Sequence, residues 1–315
     1  MLTKSEKDGI SFGLLGGLLW ALDTVLMGLV MLKSPLKEYA AFSPLIATFL
    51  HDSFSSIWLL AYNLYTDKWK ELKTIFKNKS SLVVAIAAIF GGPIGMTGYI
   101  LSIKYIGASN TAIISAMYPA VGSFFGYVFL KEKLGKKGIL GLVLAISATM
   151  LLGLTAKETA ENLILGFSFA LLCVLGWGCE SVISAYGMKQ DILPDVALQI
   201  RQIVSATIYG VIIIPLVSGY SVVSEIITSP LIVTIAITAL AGTSSYLFYY
   251  RSINKIGAIK AMGLNISYSA WAIVIGLFFG NEITIQMLIL SIMIIIGSIL
   301  TTENPKEFFS MFLKK

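Results

Sequence analysis

Apolar runs of bilayer length follow one another along almost the whole chain, separated by short polar segments, and this pattern rules out most soluble folds. Crossing a bilayer takes about 20 mostly apolar residues. Runs of this kind fall near 9–30, 38–63, 80–104, 107–129, 137–155, 163–187, 195–217, 229–250, 257–279 and 283–302. The third and fourth runs, like the eighth and ninth, meet at a single glycine, Gly107 or Gly257. A run of about 50 residues is too long for one span, so each of these stretches is read as two. The expected fold is an all-α membrane protein of ten transmembrane helices. Charged residues make up only 13% of the chain, against roughly 25% in soluble domains. The chain therefore has little with which to build a water-facing surface.

The net charge of +6 does not point to nucleic acid, because the lysines lie almost entirely between apolar runs. Eighteen basic residues fall on the side that carries the N-terminus and four on the other, with Arg201 inside a span. By the positive-inside rule both termini are expected in the cytoplasm of a multi-pass cell-membrane protein. The opening MLTKSEKDG leads into an apolar run without a small-residue cleavage pattern, so the first helix is expected to be retained. Cys173 and Cys179, six apart on one apolar run, suit neither a disulfide framework nor a metal site and are read as buried free thiols. No cofactor or metal is expected.

An internal repeat organises the chain. GISFGLLGGLLW (Gly9 to Trp20) aligns with GFSFALLCVLGW (Gly166 to Trp177) at 7 of 12 positions, which places Asp23 on Glu180. At an offset of 150, Tyr99 to Glu132 aligns with Tyr249 to Glu282 with 11 identities in 34, among them Tyr99, Gly107, Tyr118, Gly126 and Glu132. Apolar composition produces chance leucine matches, but not ordered Trp, Tyr, Gly and Glu matches. The halves are expected at 1–158 and 159–315. Each holds five spans, an odd number, so the second enters the membrane from the opposite side. Inverted repeats place a substrate site near the midplane where the halves meet, the architecture of a transporter.

Ionisable groups within spans are costly, and each is a functional candidate. Five qualify: Asp23, His51, Asp52, Glu180 and Arg201. With His51 neutral the group is net negative and suits a cation. The structural alternative pairs Arg201 with one acid as a buried clamp. Trp20 precedes Asp23 by three residues and Trp177 precedes Glu180 by three, so ring and carboxylate share a helix face in both halves. Tyr246, Tyr249 and Tyr250 form a stripe on the eighth span; Asn265, Tyr268 and Trp271 form another on the ninth. Aromatic faces with a nearby carboxylate are the recognition chemistry of quaternary ammonium groups. Interface anchoring and core packing are the competing readings for these rings. In FGGPIGM (Phe90 to Met96) the glycines and Pro93 weaken a helix in mid-span, consistent either with a bent transporter helix or with close helix packing.

These features resemble the drug/metabolite transporter superfamily of the EamA type. The stretches GGPIGM, YIGAS, WGCESV, IRQ, YYRSIN and KAMGLNISYSAW are similar to the LicB-type bacterial choline permeases, and the resemblance covers almost the whole chain. It implies choline or a close quaternary relative as substrate, imported by alternating access. The implied ammonium cage draws on Trp20, Trp177, Tyr246, Tyr249 or Tyr250, and Trp271, with Glu180 as counter-charge. His51, Asp52, Arg201 and Gln202 are implied as polar lining. Asp23 departs from the small residue of the family pattern; an extra acid there favours a second cation, a proton, or a betaine-like or diamine substrate. The alternatives are an exporter of amino acids, polyamines or drugs, and a polytopic enzyme acting on lipid head groups. The enzyme would need acids or histidines clustered in its loops, and the chain has one histidine, inside a span.

Overall fold

The computed structural model describes residues 2–39, 42–74, 78–154, 161–189, 192–280 and 282–302, and among these there are helices and no strands. The helices are α1 (Lys4–Met31), α2 (Ser43–Tyr65), the short α3 (Trp69–Thr74), α4 (Lys79–Ala108), α5 (Asn110–Leu130), α6 (Lys136–Gly153), α7 (Leu163–Met188), α8 (Pro194–Leu216), the short α9 (Tyr220–Ile227), α10 (Leu231–Ile256), α11 (Ala258–Leu277) and α12 (Ile285–Leu300). Eight of the described helices, α1, α4 to α8, α10 and α11, are long and apolar enough to cross a membrane. They correspond to eight of the ten expected spans. For the other two, α2 has 23 residues but carries His51, Asp52 and four serines, and α12 is apolar but only 16 residues long.

Several boundaries differ from expectation. The second helix begins at Ser43 with Pro44 in its first turn, not at 38, because Leu36–Tyr39 forms a separate 3₁₀ turn. The eighth run continues to Ile256, so Arg251 and Lys255 sit on a helix and not in a loop. The division between halves at 158 lies outside the described residues, as do Lys77, Lys157, Lys306, Lys314 and Lys315 of the basic-residue count.

Local chemistry accounts for the start and packing of α1. Thr3 accepts a hydrogen bond from the Glu6 amide while the Glu6 carboxylate accepts from the Thr3 amide, a reciprocal capping box. Its glycine-rich face then lies against α10, where Ser252 and Ser245 donate to the carbonyls of Gly9 and Gly16, each at 2.8 Å. Apolar attraction between helices is weak in lipid, so small residues that admit backbone contact supply the packing.

The two single-glycine junctions share one conformation. Gly107 has φ 82 and ψ 164, and Gly257 has φ 85 and ψ 163. This positive-φ region is open to glycine and strained for other residues. At the second junction the Glu132 carboxylate accepts from the amides of Ala258 and Ile259, capping α11. Each following helix breaks again at the same relative place, Ala116–Met117 and Ile266–Ser267, immediately before Tyr118 and Tyr268. The FGGPIGM stretch forms a π-helical turn, Phe90–Met96. Proline lacks the amide needed for a regular ladder, and such turns concentrate at functional sites.

Candidate substrate site

An aromatic box is built from both halves of the chain, with Trp177 at its centre. Trp20 meets Trp177 edge-on at 5.9 Å between ring centroids, Tyr118 meets it edge-on at 5.8 Å, and Tyr99 lies tilted at 5.3 Å. Tyr268 stacks on Trp20 at 4.0 Å. The box holds a small cavity of about 30 Å³, walled by Trp20, Tyr118, Trp177, Glu180, Ser181, Ser245, Tyr246, Tyr249 and Asn265. Through Trp20, Trp177 and Tyr246 it adjoins a larger cavity of about 340 Å³ whose wall includes Asp23, His51, Asp52, Tyr99, Arg201 and Tyr268. That cavity extends past Met27, Gly28 and Met31 toward the end of the bundle where α1 finishes, and Thr24 and Gly28 on its wall are exposed.

The opposite end is bound together. Asp195, in the first turn of α8, accepts from Arg251 Nε and Nη2 of α10, each at 3.0 Å, and pairs with Lys68 from the segment after α2. Arg251 also donates to the Tyr62 hydroxyl at 2.6 Å.

The five ionisable candidates form one chain, buried at His51, Asp52, Glu180 and Arg201 and half-buried at Asp23. His51 Nε2 lies 3.1 Å from Asp23 Oδ1, and His51 Nδ1 lies 3.4 Å from Asp52 Oδ1. Arg201 donates from Nη1 to Asp52 Oδ2 at 3.2 Å, from Nε to Glu180 Oε1 at 3.0 Å, and from Nη2 to the Tyr246 hydroxyl at 3.2 Å. Ser205 donates to Asp52 and Tyr250 to Glu180. Glu180 thus serves the Arg201 clamp and walls the box at the same time. The π turn makes room for it: a methyl group on Gly91 would overlap the Glu180 carboxylate.

Eleven of the fourteen candidate residues lie in the wall of one or both cavities. Gln202, Tyr250 and Trp271 are in neither wall. Gln202 accepts from Arg201 at 2.6 Å and Tyr250 supports Glu180, so both act behind the site; Trp271, on the same unbroken segment as Tyr268, lines neither cavity. Of the two thiols read as buried, Cys173 is buried, whereas Cys179 is half-buried beside Phe125 and Tyr186. The residues not anticipated are Tyr99, Tyr118, Ser181 and Ser245. The repeat carried a signal for two of them, since Tyr99 aligns with Tyr249 and Tyr118 with Tyr268.

The profile of the EamA-like transporter family matches residues 7–154. Protein LicB of Haemophilus influenzae is 33% identical over 300 residues, covering 95% of this chain and 99% of that protein. The chain belongs to the EamA-like transporter family. Other similar proteins include an uncharacterized transporter of Clostridium kluyveri, 23% identical over 86% of this chain and 88% of its own. A putative sugar uptake protein of Lactobacillus johnsonii is 31% identical over 35% of this chain and 34% of its own. A crystal structure at 14% identity matches with a TM-score of 0.71 over 95% of this chain and 98% of that one, which shows a common fold. As an EamA-like protein with eight helices of crossing length, the chain is a multi-pass membrane protein of a transport family.

Proposed function

We propose that this EamA-like protein imports choline or a closely related quaternary ammonium compound across the cell membrane by alternating access. The observation that carries the reading is the box itself: Trp177 ringed by Trp20, Tyr99 and Tyr118, with the Glu180 carboxylate in the same wall. A quaternary ammonium has no N–H to donate, so ring faces and a carboxylate are what can recognise it, and a desolvated cation–π contact is worth about 2 kcal/mol. The net negative chain of three acids against Arg201 favours a cation over an anion. The likeness to LicB supports the same substrate class.

Ten spans in two inverted five-helix halves complete the proposal. The matched backbone of Gly107 and Gly257, and the matched helix breaks before Tyr118 and Tyr268, support it. In this arrangement the box lies where the halves meet. The positive-inside rule puts the sealed Asp195 end in the cytoplasm, so the cavity opens outward.

Titration of the purified protein with choline, run beside putrescine and neutral amino acids, tests the reading. Saturable choline binding that Trp177→Ala weakens by more than tenfold supports it. Binding of diamines or amino acids with no response to choline would transfer the assignment to an exporter of those compounds.

A further inference from the structure

Most polar atoms in the wall of the box are committed to protein partners; among the described residues Trp177 Nε1 and Asn265 Oδ1 are not. Ser181 and Tyr249 hydroxyls bond each other at 2.8 Å, Ser245 donates to the Gly16 carbonyl, and the Tyr246 hydroxyl accepts from Arg201. The Trp177 indole N–H stands next to Gly95 of the π turn and has no partner among the described residues, but it can only donate. Asn265 differs. It ends the first segment of α11, is 5% exposed, donates from Nδ2 to the Tyr118 hydroxyl at 3.4 Å, and its Oδ1 has no partner among the described residues.

Asn265 and Tyr118 together hold one amide and one phenol, and a single hydrogen bond between them leaves two donors and at least one acceptor unspent. Turning the amide over changes which residue supplies them but still leaves both free donors and a free acceptor. A buried polar atom left unpaired is costly, and a site that provides such atoms discriminates strongly against an analogue lacking the matching group. A hydroxyl is the small group that both donates and accepts. A methyl ether only accepts, a carboxylate only accepts, and a bare tetraalkylammonium does neither.

We propose that Asn265, with Tyr118, reads a hydroxyl on the substrate, so that the box selects quaternary ammonium alcohols. The proposal rests on the cation reading above and assigns Asn265 to specificity, with the aromatic rings left to hold the charge. The docking order follows from the fold: Asn265 lies at the helix break beside the box, and the ammonium sits among Trp20, Trp177 and Tyr118.

The test uses the whole protein and three probes of equal charge: choline, its O-methyl ether and tetramethylammonium. The parent protein is expected to bind choline about tenfold more tightly than the ether. In Asn265→Leu, choline should fall to the level of the ether while tetramethylammonium stays within about twofold of its parent value. Equal affinity of the parent for choline and the ether overturns the proposal without any variant, and leaves the cation reading intact. A loss in Asn265→Leu shared equally by all three probes also overturns it, since a packing role would act on each alike. If none of the three binds the parent, the cation reading fails and the hydroxyl assignment fails with it.

Discussion

Arg201 donates from Nε to Glu180 Oε1 at 3.0 Å, and His51, which stands 150 positions before Arg201, lies 3.1 Å from Asp23, the repeat mate of Glu180. Each half of the chain therefore sets a basic side chain against an acid on its first helix. Asp52 joins the two pairs, 3.4 Å from His51 and 3.2 Å from Arg201. The chain of contacts couples α1, α2, α7 and α8 at the depth of the aromatic box.

Removing the cation from this chain should be felt in stability. Arg201→Met would leave Glu180 and Asp52 buried side by side without their common partner, and breaking a buried pair in this way costs about 3–5 kcal/mol. Thermal unfolding in detergent should show a clear drop for Arg201→Met and a smaller one for Arg201→Lys, which keeps the charge but loses the fork. A melting temperature equal to the parent's would mean that the contacts carry no net energy.

Trp177 is 8% exposed at the centre of the box, whereas Phe278, just past the end of α11, is 85% exposed. Trp177→Ala is expected to weaken choline binding by more than tenfold, with Trp177→Phe in between, and Phe278→Leu to leave it unchanged. Calorimetry that ranks Phe278→Leu with Trp177→Ala would show the cage to be misplaced.

A third expectation concerns a residue with no side chain. A methyl group at Gly91 would collide with the Glu180 carboxylate, so Gly91→Ala must move the acid or distort the π turn, at a cost of about 1–3 kcal/mol for overpacking. Binding should weaken several-fold although nothing has been removed from the wall. Gly28→Ala is the matched control, since nothing lies within 4 Å of the added carbon. Equal binding by both variants would disconnect the turn from the site.

Much of this architecture was legible in the residues because it repeats. Trp20 with Trp177 and Asp23 with Glu180 could be paired by alignment, and Gly107 with Gly257 marked both junctions correctly. Tyr118 and Tyr99 were within reach of the same alignment but were overshadowed by the Tyr246–Tyr250 stripe, whose spacing is local. Trp271 follows Tyr268 on one unbroken segment but lines neither cavity, and three-residue spacing alone could not separate the two rings. The unspent polar atom of Asn265 could not be read in advance, because it depends on Tyr118 arriving from another helix. Nor could the start of α2, where Pro44 and the turn at Leu36–Tyr39 override a continuous apolar pattern.

The last prediction concerns the sealed end. Asp195 ties α8 to α10 through two 3.0 Å bonds from Arg251 and to the segment after α2 through Lys68, while the cavity opens at the other end. If access alternates, these three elements must part when the box opens on the Asp195 side. The ion pairs then belong to one conformation and are lost in the other, so Asp195→Asn should shift the population toward the second. A ligand-free shift of this kind needs only the difference in stability between the two states. Ser184 is fully buried beside Tyr250, between Glu180 and the sealed end. In a background with Cys173 and Cys179 replaced by alanine, Ser184→Cys should react slowly with a water-soluble maleimide, and several-fold faster once Asp195→Asn is added. Identical labelling rates in the two proteins would show that the Asp195 cluster supports the fold without gating the cavity.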